Sequence, residues 1–424
     1  MPTAALHTLG CKVNQYETQQ ISDELAAYGF HIVRFTDKAD VYIINTCTVT
    51  HTADAKSRHA VRAAVKRNPD AVVVITGCYA ETSPGIAASI DGVSLVVGNQ
   101  DKALIARKVI SLLPETINPD SRDSLVDHLT SRTRALIKIQ DGCNQFCSYC
   151  AVPLARSYMW SKPIDDALTE AGKLADRGYR EIVLTGIRTG LYKHEPYNLV
   201  ELIQKLSDIE GLERIRISSI ETTDVPDGLL KLMASNPKVC RHLHIPLQSG
   251  DDSVLKRMNR PYNSSEFIRF VERAREIVPE IGITTDIMVG FPGETDEEFR
   301  NTCHVAEEVR FSRAHIFRYS ARPGTAASLL PDAVSDSEKE RRSTVLAEIT
   351  SRSENAFAEL LAGKTMKILV EGKKSHDTMR SGLTDNYVRV FVDVKSEFVG
   401  RITEVEVSRM PDGRLVGGIV WPTT

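Results

Sequence analysis

Asp141-Gly142-Cys143-Asn144-Gln145-Phe146-Cys147-Ser148-Tyr149-Cys150 places three cysteines in a C-x3-C-x2-C spacing, directly after the apolar run Ala135–Ile139. The run predicts a strand and the cysteines a loop at its C-terminal end. Three thiolates within one loop are a ligand set for a [4Fe–4S] cluster in which one iron stays open, whereas an electron-transfer cluster takes four cysteines. Two plainer readings stand beside it. The thiols are three unrelated buried residues, or they bind zinc, which would want a fourth nitrogen or sulfur ligand that the loop does not contain.

Outward from the loop, strand-like and helical patterns alternate. Strands are predicted at Ala135–Ile139, Glu181–Thr185, Arg214–Ser218, His242–Leu247, Thr284–Val289 and His315–Tyr319. Helices are predicted between them, among them Ile164–Arg177, Leu199–Leu206, Ser265–Ile277 and Asp296–Arg310. Six such βα units make an incomplete relative of the parallel barrel, with its site at the strand C-terminal ends. Upstream, the runs Ala4–Leu9, Val41–Asn45, Ala71–Thr76 and Ser94–Val97 alternate with helical patterns such as Glu17–Tyr28 and Ala53–Arg67. This rhythm predicts an open, mostly parallel sheet. Downstream, a long charged helix near Asp336–Leu361 leads into short strands at Met366–Val370, Tyr387–Val394, Thr403–Ser408 and Leu415–Val420, a small all-β module. The expected division is 1–111, a polar linker at 112–131, 132–362, and 363–424.

Cys11, Cys47 and Cys78 each follow a predicted strand, and Gly10 and Gly77 allow the backbone to turn sharply there. In a parallel sheet such strand ends share one edge, where open α/β folds bind ligands. Three residues far apart in sequence thus converge on a second three-thiolate centre, unless they are simply small buried side chains. Cys240, before a strand, and Cys303, on a helix face with Phe299 and Ala306, read as core. The chain has 424 residues, 42% hydrophobic and 26% charged, with a formal net charge of −3. That charge gives no global field for nucleic acid, so any RNA contact must be a local basic patch. Met1–Gly10 lacks the basic start and apolar run expected of a secretory signal, and no run comes near the ~20 apolar residues of a membrane span. A cytoplasmic, reducing compartment without a membrane partner is therefore expected, where eight cysteines serve metal chemistry rather than disulfides.

Leu9-Gly10-Cys11-Lys12-Val13-Asn14-Gln15-Tyr16-Glu17, Ile44-Asn45-Thr46-Cys47-Thr48-Val49 and Thr76-Gly77-Cys78-Tyr79-Ala80 resemble the N-terminal domain of the methylthiotransferase family of radical S-adenosylmethionine (SAM) enzymes. The Asp141–Cys150 loop is similar to that family's radical-SAM loop. So are His244-Ile245-Pro246-Leu247-Gln248-Ser249-Gly250, Gly290-Phe291-Pro292-Gly293-Glu294-Thr295 and Tyr319-Ser320-Ala321-Arg322-Pro323-Gly324-Thr325. The Lys12–Tyr16 run is similar to the subgroup acting on N6-threonylcarbamoyladenosine at position 37 of tRNA. The resemblance implies an α/β fold: an N-terminal open parallel sheet, a central incomplete (β/α)6 radical-SAM barrel and a C-terminal TRAM barrel.

The resemblance implies two [4Fe–4S] clusters, held by Cys11, Cys47 and Cys78 and by Cys143, Cys147 and Cys150, the latter set catalytic. It implies two uses of SAM, as methyl source and as the molecule cleaved at the second centre, so that C2–H of an adenine becomes C–S–CH3. Tyr149 would cover the adenine of SAM, and Thr185, Gly186, Ser218, Glu221 and Gln248 at strand ends would hold its polar groups. Candidate RNA contacts are Arg156, Arg188 and Arg322 at the mouth, with Lys364, Lys367, Lys373, Lys374, Arg380 and Arg389 in the TRAM module. The implied partners are the anticodon loop of a lysine tRNA, an electron donor such as flavodoxin or ferredoxin, and a sulfur donor. The segment Ser157-Tyr158-Met159-Trp160-Ser161-Lys162 departs from the family, which has glycine after the arginine matching Arg156. Two rival functions remain: the same chemistry on isopentenyladenosine or a ribosomal-protein aspartate, and a non-catalytic iron–sulfur or RNA-binding protein.

Overall fold

The computed structural model describes residues 1–113, 133–374 and 379–420, without the side chains of Lys373 and Lys374. The expected linker at 112–131 lies almost wholly outside the described residues. Two compact units form. One takes in residues 1–113 with Gly142–Met159 and Ser320–Ser328; the other takes in 133–141, Trp160–Tyr319 and the described residues from Leu329 on. The cysteine loop thus folds with the N-terminal sheet. The 1–111, 132–362 and 363–424 division, drawn from pattern, stays a proposal about how the chain is built.

The N-terminal unit is built on five parallel strands, β1 (Thr3–Thr8), β2 (His31–Val33), β3 (Val41–Thr46), β4 (Val72–Gly77) and β5 (Leu95–Val97), in the order β2-β1-β3-β4-β5. Every residue of β3 is buried, as expected of a central strand covered on both faces. Ala5, Tyr42, Ile44, Val73 and Ile75 pack under Ala60, Val61 and Ala64 of helix α2 (His51–Arg67). On the other face Ala4, Ile43 and Val74 meet Ile21 and Leu25 of helix α1 (Lys12–Ala27) and Ile105 and Val109. The three-residue β2 was too short to read from its pattern.

In the second unit, Ala135–Lys138, Glu181–Thr185 and Arg214–Ile217 pair in parallel, as do His242–His244, Gly282–Val289 and Arg313–Arg318. Bridges Ile215–Val239 and Ser219–His244 join the two sets into an open arc of six strands. The same unit holds a closed five-stranded barrel of Thr365–Lys374, Arg380–Thr384, Arg389–Val392, Leu415–Ile419 and Ile402–Arg409, in that order. Arg380–Thr384 was missed because Arg-Ser-Gly-Leu-Thr has no alternating apolar pattern; all five residues are buried.

Charge ties the barrel to the N-terminal edge of the arc. Glu181 is fully buried and accepts from Arg216 Nε at 2.8 Å, with Arg214 Nη1 at 3.5 Å. Burial would raise its carboxyl, but the arginines hold it below the usual range. The same guanidiniums donate to the barrel: Arg214 to the carbonyls of Leu383 (2.9 Å) and Lys367 (2.6 Å), Arg216 to those of Asp385 (2.9 Å) and Thr384 (3.0 Å). Arg241 grips the Asp385 carboxylate at 2.6 Å, and Tyr387 stacks on His242. A side chain at Gly282 would collide with the Asn386 carbonyl.

Candidate active site

Strands β1, β3 and β4 are neighbours, and their ends align in register, Thr8 with Asn45 and Thr46 with Gly77. Cys11, Cys47 and Cys78 therefore stand on three adjacent strand ends. Cys11 is the N-cap of α1, and Cys78 opens the short helix α3 (Cys78–Thr82). Gly10 and Gly77 both take φ of 95°, which only glycine adopts cheaply. A Cβ at Gly10 would lie 2.9 Å from Cys47 Sγ, so the turn leaves that space to sulfur. Cys47 and Cys78 are buried, Cys11 exposed. Burial pushes the Cys47 thiol up to about 11, and the other two cysteines add to the rise. The Cys78 thiol is also raised by burial, while Arg156 and Lys102 pull against it. Thiols this reluctant to ionise become thiolates when a metal takes the proton's place.

A network of buried charge surrounds this edge, and most of it was not read from sequence. Glu17 accepts both Arg156 Nη groups at 2.9 Å and is ion-paired with Lys102. Arg156 also donates to Asn14 Oδ1 (2.9 Å), whose amide nitrogen donates to the carbonyls of Leu9 (2.8 Å) and Thr46 (2.9 Å). Lys102 reaches Asn45 Oδ1 at 3.2 Å. Two buried cations and one buried carboxylate leave a net positive charge beside Cys78, suited to an anionic cluster. The available signal was Asn14 and Glu17, polar residues on the buried side of α1.

The second cysteine set is exposed only in part. Backbone N–H groups of Gln145 and Val152 donate to the sulfurs of Cys143 and Cys150, each at 3.4 Å, and Cys150 N–H donates to the Cys147 carbonyl at 3.0 Å. Phe146 turns the loop with φ of 50°. The loop is pinned by the Asn99 amide to the Ala155 carbonyl (2.7 Å) and by Ala327 N–H to the Ser148 carbonyl (2.7 Å). Among the described residues no three His, Cys, Asp or Glu side chains crowd one metal ion. Three thiols in each set match the ligand count of a [4Fe–4S] cluster that leaves one iron open.

The strand-end candidates lie in the other unit. Thr185 and Ser218 are buried, and Ser218 Oγ has no hydrogen-bond partner among the described residues. Gly186 passes so close to Gln140 that a Cβ would come within 2.9 Å of its carbonyl oxygen. Gln248 adopts φ of 65° and is held by N–H donation to the Asp286 carbonyl at 2.9 Å. Glu221 is ion-paired with Arg260. One oxygen of its carboxylate is thus engaged by Arg260, and the SAM contact through Glu221 stays a proposal.

Among the candidate RNA contacts, the placement of Arg156 and Arg322 at a mouth needs correction, while Lys364, Lys367 and Arg389 stay proposals. Arg156 and Arg322 are buried rather than displayed at a mouth. Arg156 is spent on Glu17 and Asn14, and Arg322 donates to Asp54 (2.5 Å) and Thr48 (2.7 Å). Arg188 is held by Asp224 at 2.5 and 2.8 Å. Arg380 is buried and donates to the Gly372 carbonyl. Lys364 pairs with Glu280, Lys367 with Glu404 and Arg389 with Glu371. The side chains of Lys373 and Lys374 lie outside the described residues. In the departing segment, Tyr158 is 66% exposed, while Trp160 lies in a short strand paired with Gln140–Asp141, under Lys138. Cys240 and Cys303 are buried, as expected of core residues, and burial pushes their thiols up to about 12 and about 11.

The chain matches the Radical SAM superfamily over residues 137–306 and the Uncharacterized protein family UPF0004 over residues 3–98. It is 40% identical over 423 residues to the threonylcarbamoyladenosine tRNA methylthiotransferase MtaB of Bacillus subtilis, covering 96% of this chain and 94% of that one. Identity to the protein of that name from Thermotoga maritima is 39%, over 94% and 92% of the two chains. The tRNA-2-methylthio-N(6)-dimethylallyladenosine synthase of Endomicrobium trichonymphae is 34% identical, over 98% and 99%. Among solved structures, the radical SAM methyltransferase TsrM of Kitasatospora setae aligns with a TM-score of 0.58 at 16% identity, over 77% of each chain, a likeness of fold.

Proposed function

The chain belongs to the methylthiotransferase family of radical SAM enzymes that modify tRNA, and on that premise we propose that it converts N6-threonylcarbamoyladenosine at position 37 to its 2-methylthio derivative. Enzymes of this kind use SAM and [4Fe–4S] clusters. The observation that carries the reading is the assembly of two three-cysteine sets in one folded unit, on a chain 37–40% identical to relatives named for that modification.

In this reading Cys11, Cys47 and Cys78 hold one cluster and Cys143, Cys147 and Cys150 the other. A reduced cluster with an open iron supplies the electron that breaks the sulfonium bond of SAM. The protein's part is positioning. Arg156 and Lys102 offset negative charge beside Cys78, backbone N–H groups donate to Cys143 and Cys150, and the Gly10 turn keeps room for sulfur. Tyr149, Thr185, Gly186, Ser218 and Gln248 are the proposed SAM contacts, with Glu221 contributing through Arg260. The target base is splayed from a single-stranded loop, the RNA form in which base edges are readable. We place the reaction in the cytoplasm, on a lysine tRNA, served by an electron donor such as flavodoxin or ferredoxin and by a sulfur donor.

A second reading has its own support: relatives at 34% identity over nearly the full length are named for the dimethylallyladenosine reaction. The two substrates differ physically. A threonylcarbamoyl group carries a carboxylate that needs a charged or multiply hydrogen-bonded partner once desolvated, and an isopentenyl group needs an apolar pocket. Offering the reconstituted enzyme matched tRNAs with threonylcarbamoyl, isopentenyl or plain adenine decides between them. Mass spectrometry should find the methylthio group efficiently only on the first; equal turnover of the second would remove the subgroup assignment and leave the radical chemistry intact.

A further inference from the structure

Helix α2 carries Lys56, Arg58, Arg62, Lys66 and Arg67 against a single acid, Asp54. Asp54 is buried and paired with Arg322, so it neutralises none of the outer face. Lys56, His59, Arg62 and Lys66 are exposed and Arg58 is half-buried. Among the described residues none of Lys56, Arg58, Arg62 and Lys66 forms an ion pair or hydrogen bond with a side chain. The spacing 56, 59, 62, 66 puts one cation or imidazole on the same helical face at every turn. From Lys56 to Lys66 the row extends about 15 Å. Helix Ser264–Ile277, by contrast, alternates its arginines with Glu266, Glu272 and Glu276.

The inner face of the same helix belongs to the Cys47 end of the sheet. Thr50 caps the helix by accepting from Ala53 N–H at 3.1 Å, and Ser57 Oγ donates to the Cys47 carbonyl at 3.4 Å. A single rigid element thus has a cysteine edge on one side and an unneutralised cationic row on the other. In a chain of net charge −3, that row costs repulsion with no internal return. The exposed positions are small, polar or basic side chains without the Trp, Phe or Leu of a membrane-surface helix.

We propose that this face binds the phosphate backbone of the substrate tRNA, with Lys56, Arg62 and Lys66 as phosphate contacts and Arg58 and His59 at the edge of the footprint. The proposal rests on the tRNA reading above and adds where the RNA strand is gripped. The face positions RNA and reads no base, because phosphate contacts are independent of sequence.

The test uses the reconstituted full chain and its Lys56→Gln/Arg62→Gln/Lys66→Gln variant, glutamine being a good helix former at exposed sites. Unchanged circular dichroism, iron content and tRNA-free SAM cleavage establish that the variant is folded. tRNA binding is then measured across a salt series. Loss of three phosphate contacts should lower affinity at least tenfold near 0.1 M salt and flatten the slope of log K against log salt by about 2 to 3. Affinity should fall alike for threonylcarbamoyl-modified and plain tRNA, with a raised KM and an unchanged kcat. Wild-type affinity and slope in the variant would overturn the assignment, as would loss of binding only to phosphatidylglycerol vesicles. If instead the unaltered chain binds tRNA through this face but methylthiolates none, the substrate reading fails and the binding face stands.

Discussion

The N-terminal unit and the barrel-bearing unit are both rich in charge, and they use it in opposite ways. In the first, buried Arg156 and Lys102 lean on the edge that carries Cys78, and the outer row of α2 meets no acid among the described residues. In the second, several positive side chains find partners within the protein: Arg214 and Arg216 on Glu181 and on barrel carbonyls, Lys367 on Glu404, Arg389 on Glu371. Residues 362–424 hold ten Lys/Arg and eight Asp/Glu, which by count alone favours RNA binding. Pairing engages part of that charge, since Arg380, Lys364, Lys367 and Arg389 all have partners within the protein. Charge available to a ligand is charge left over after the fold has taken its share, and composition does not report it.

The hardest test of this contrast removes ligands from the first unit. Cys143→Ala should abolish SAM cleavage and leave about half the iron, since the other set still binds its cluster. Cys47→Ala should spare cleavage and lose methylthiolation. Iron counting beside a 5′-deoxyadenosine assay reads both, and a single change that strips all iron from a folded chain would break the two-cluster account.

In the second unit the same kind of change should cost the fold instead. Glu181→Ala leaves Arg214 and Arg216 buried without their carboxylate, and removing one partner of a buried pair costs about 3–5 kcal/mol. Denaturant unfolding should show the loss while the iron content of chains that remain folded is unchanged. Wild-type stability would mean that the barrel is not held by this charge. For the same reason truncation at 363 is a poor probe of RNA binding, because it takes the carbonyl partners of both arginines with it.

The smallest effect sharpens the comparison from the other side. Lys367→Gln with Arg389→Gln removes charges that already have acidic neighbours, and exposed pairs of this kind are worth about 0–1 kcal/mol. tRNA affinity should fall less than about threefold, with little change of salt slope. A loss as large as that of the α2 variant would put the RNA surface on the barrel after all.

Much of the architecture was legible in the chain itself. Cys143, Cys147 and Cys150 are readable because one loop holds them, and local spacing is a property of sequence. Cys11, Cys47 and Cys78 are readable because each follows a strand-like run, and the rule that parallel strand ends share an edge does the rest. Hydrophobic periodicity likewise marked β1, β3, β4 and the arc strands, whose buried faces repeat at fixed intervals. His31–Val33 and Arg380–Thr384 escaped, since a short edge strand and a Ser-Gly-Thr strand are defined by their partners.

What only the tertiary structure decided is which side chain faces which. Arg156, Arg322 and Arg380 look in sequence like any surface arginine, and folding buries all three. Glu17 and Lys102 lie 85 positions apart and become one ion pair beside Cys78. Ion pairing depends on distances of a few ångströms between residues the chain does not order. The sequence by itself therefore determined where the cysteines stand and the strand plan, and the folded chain determined where its charge is spent and where it is left free.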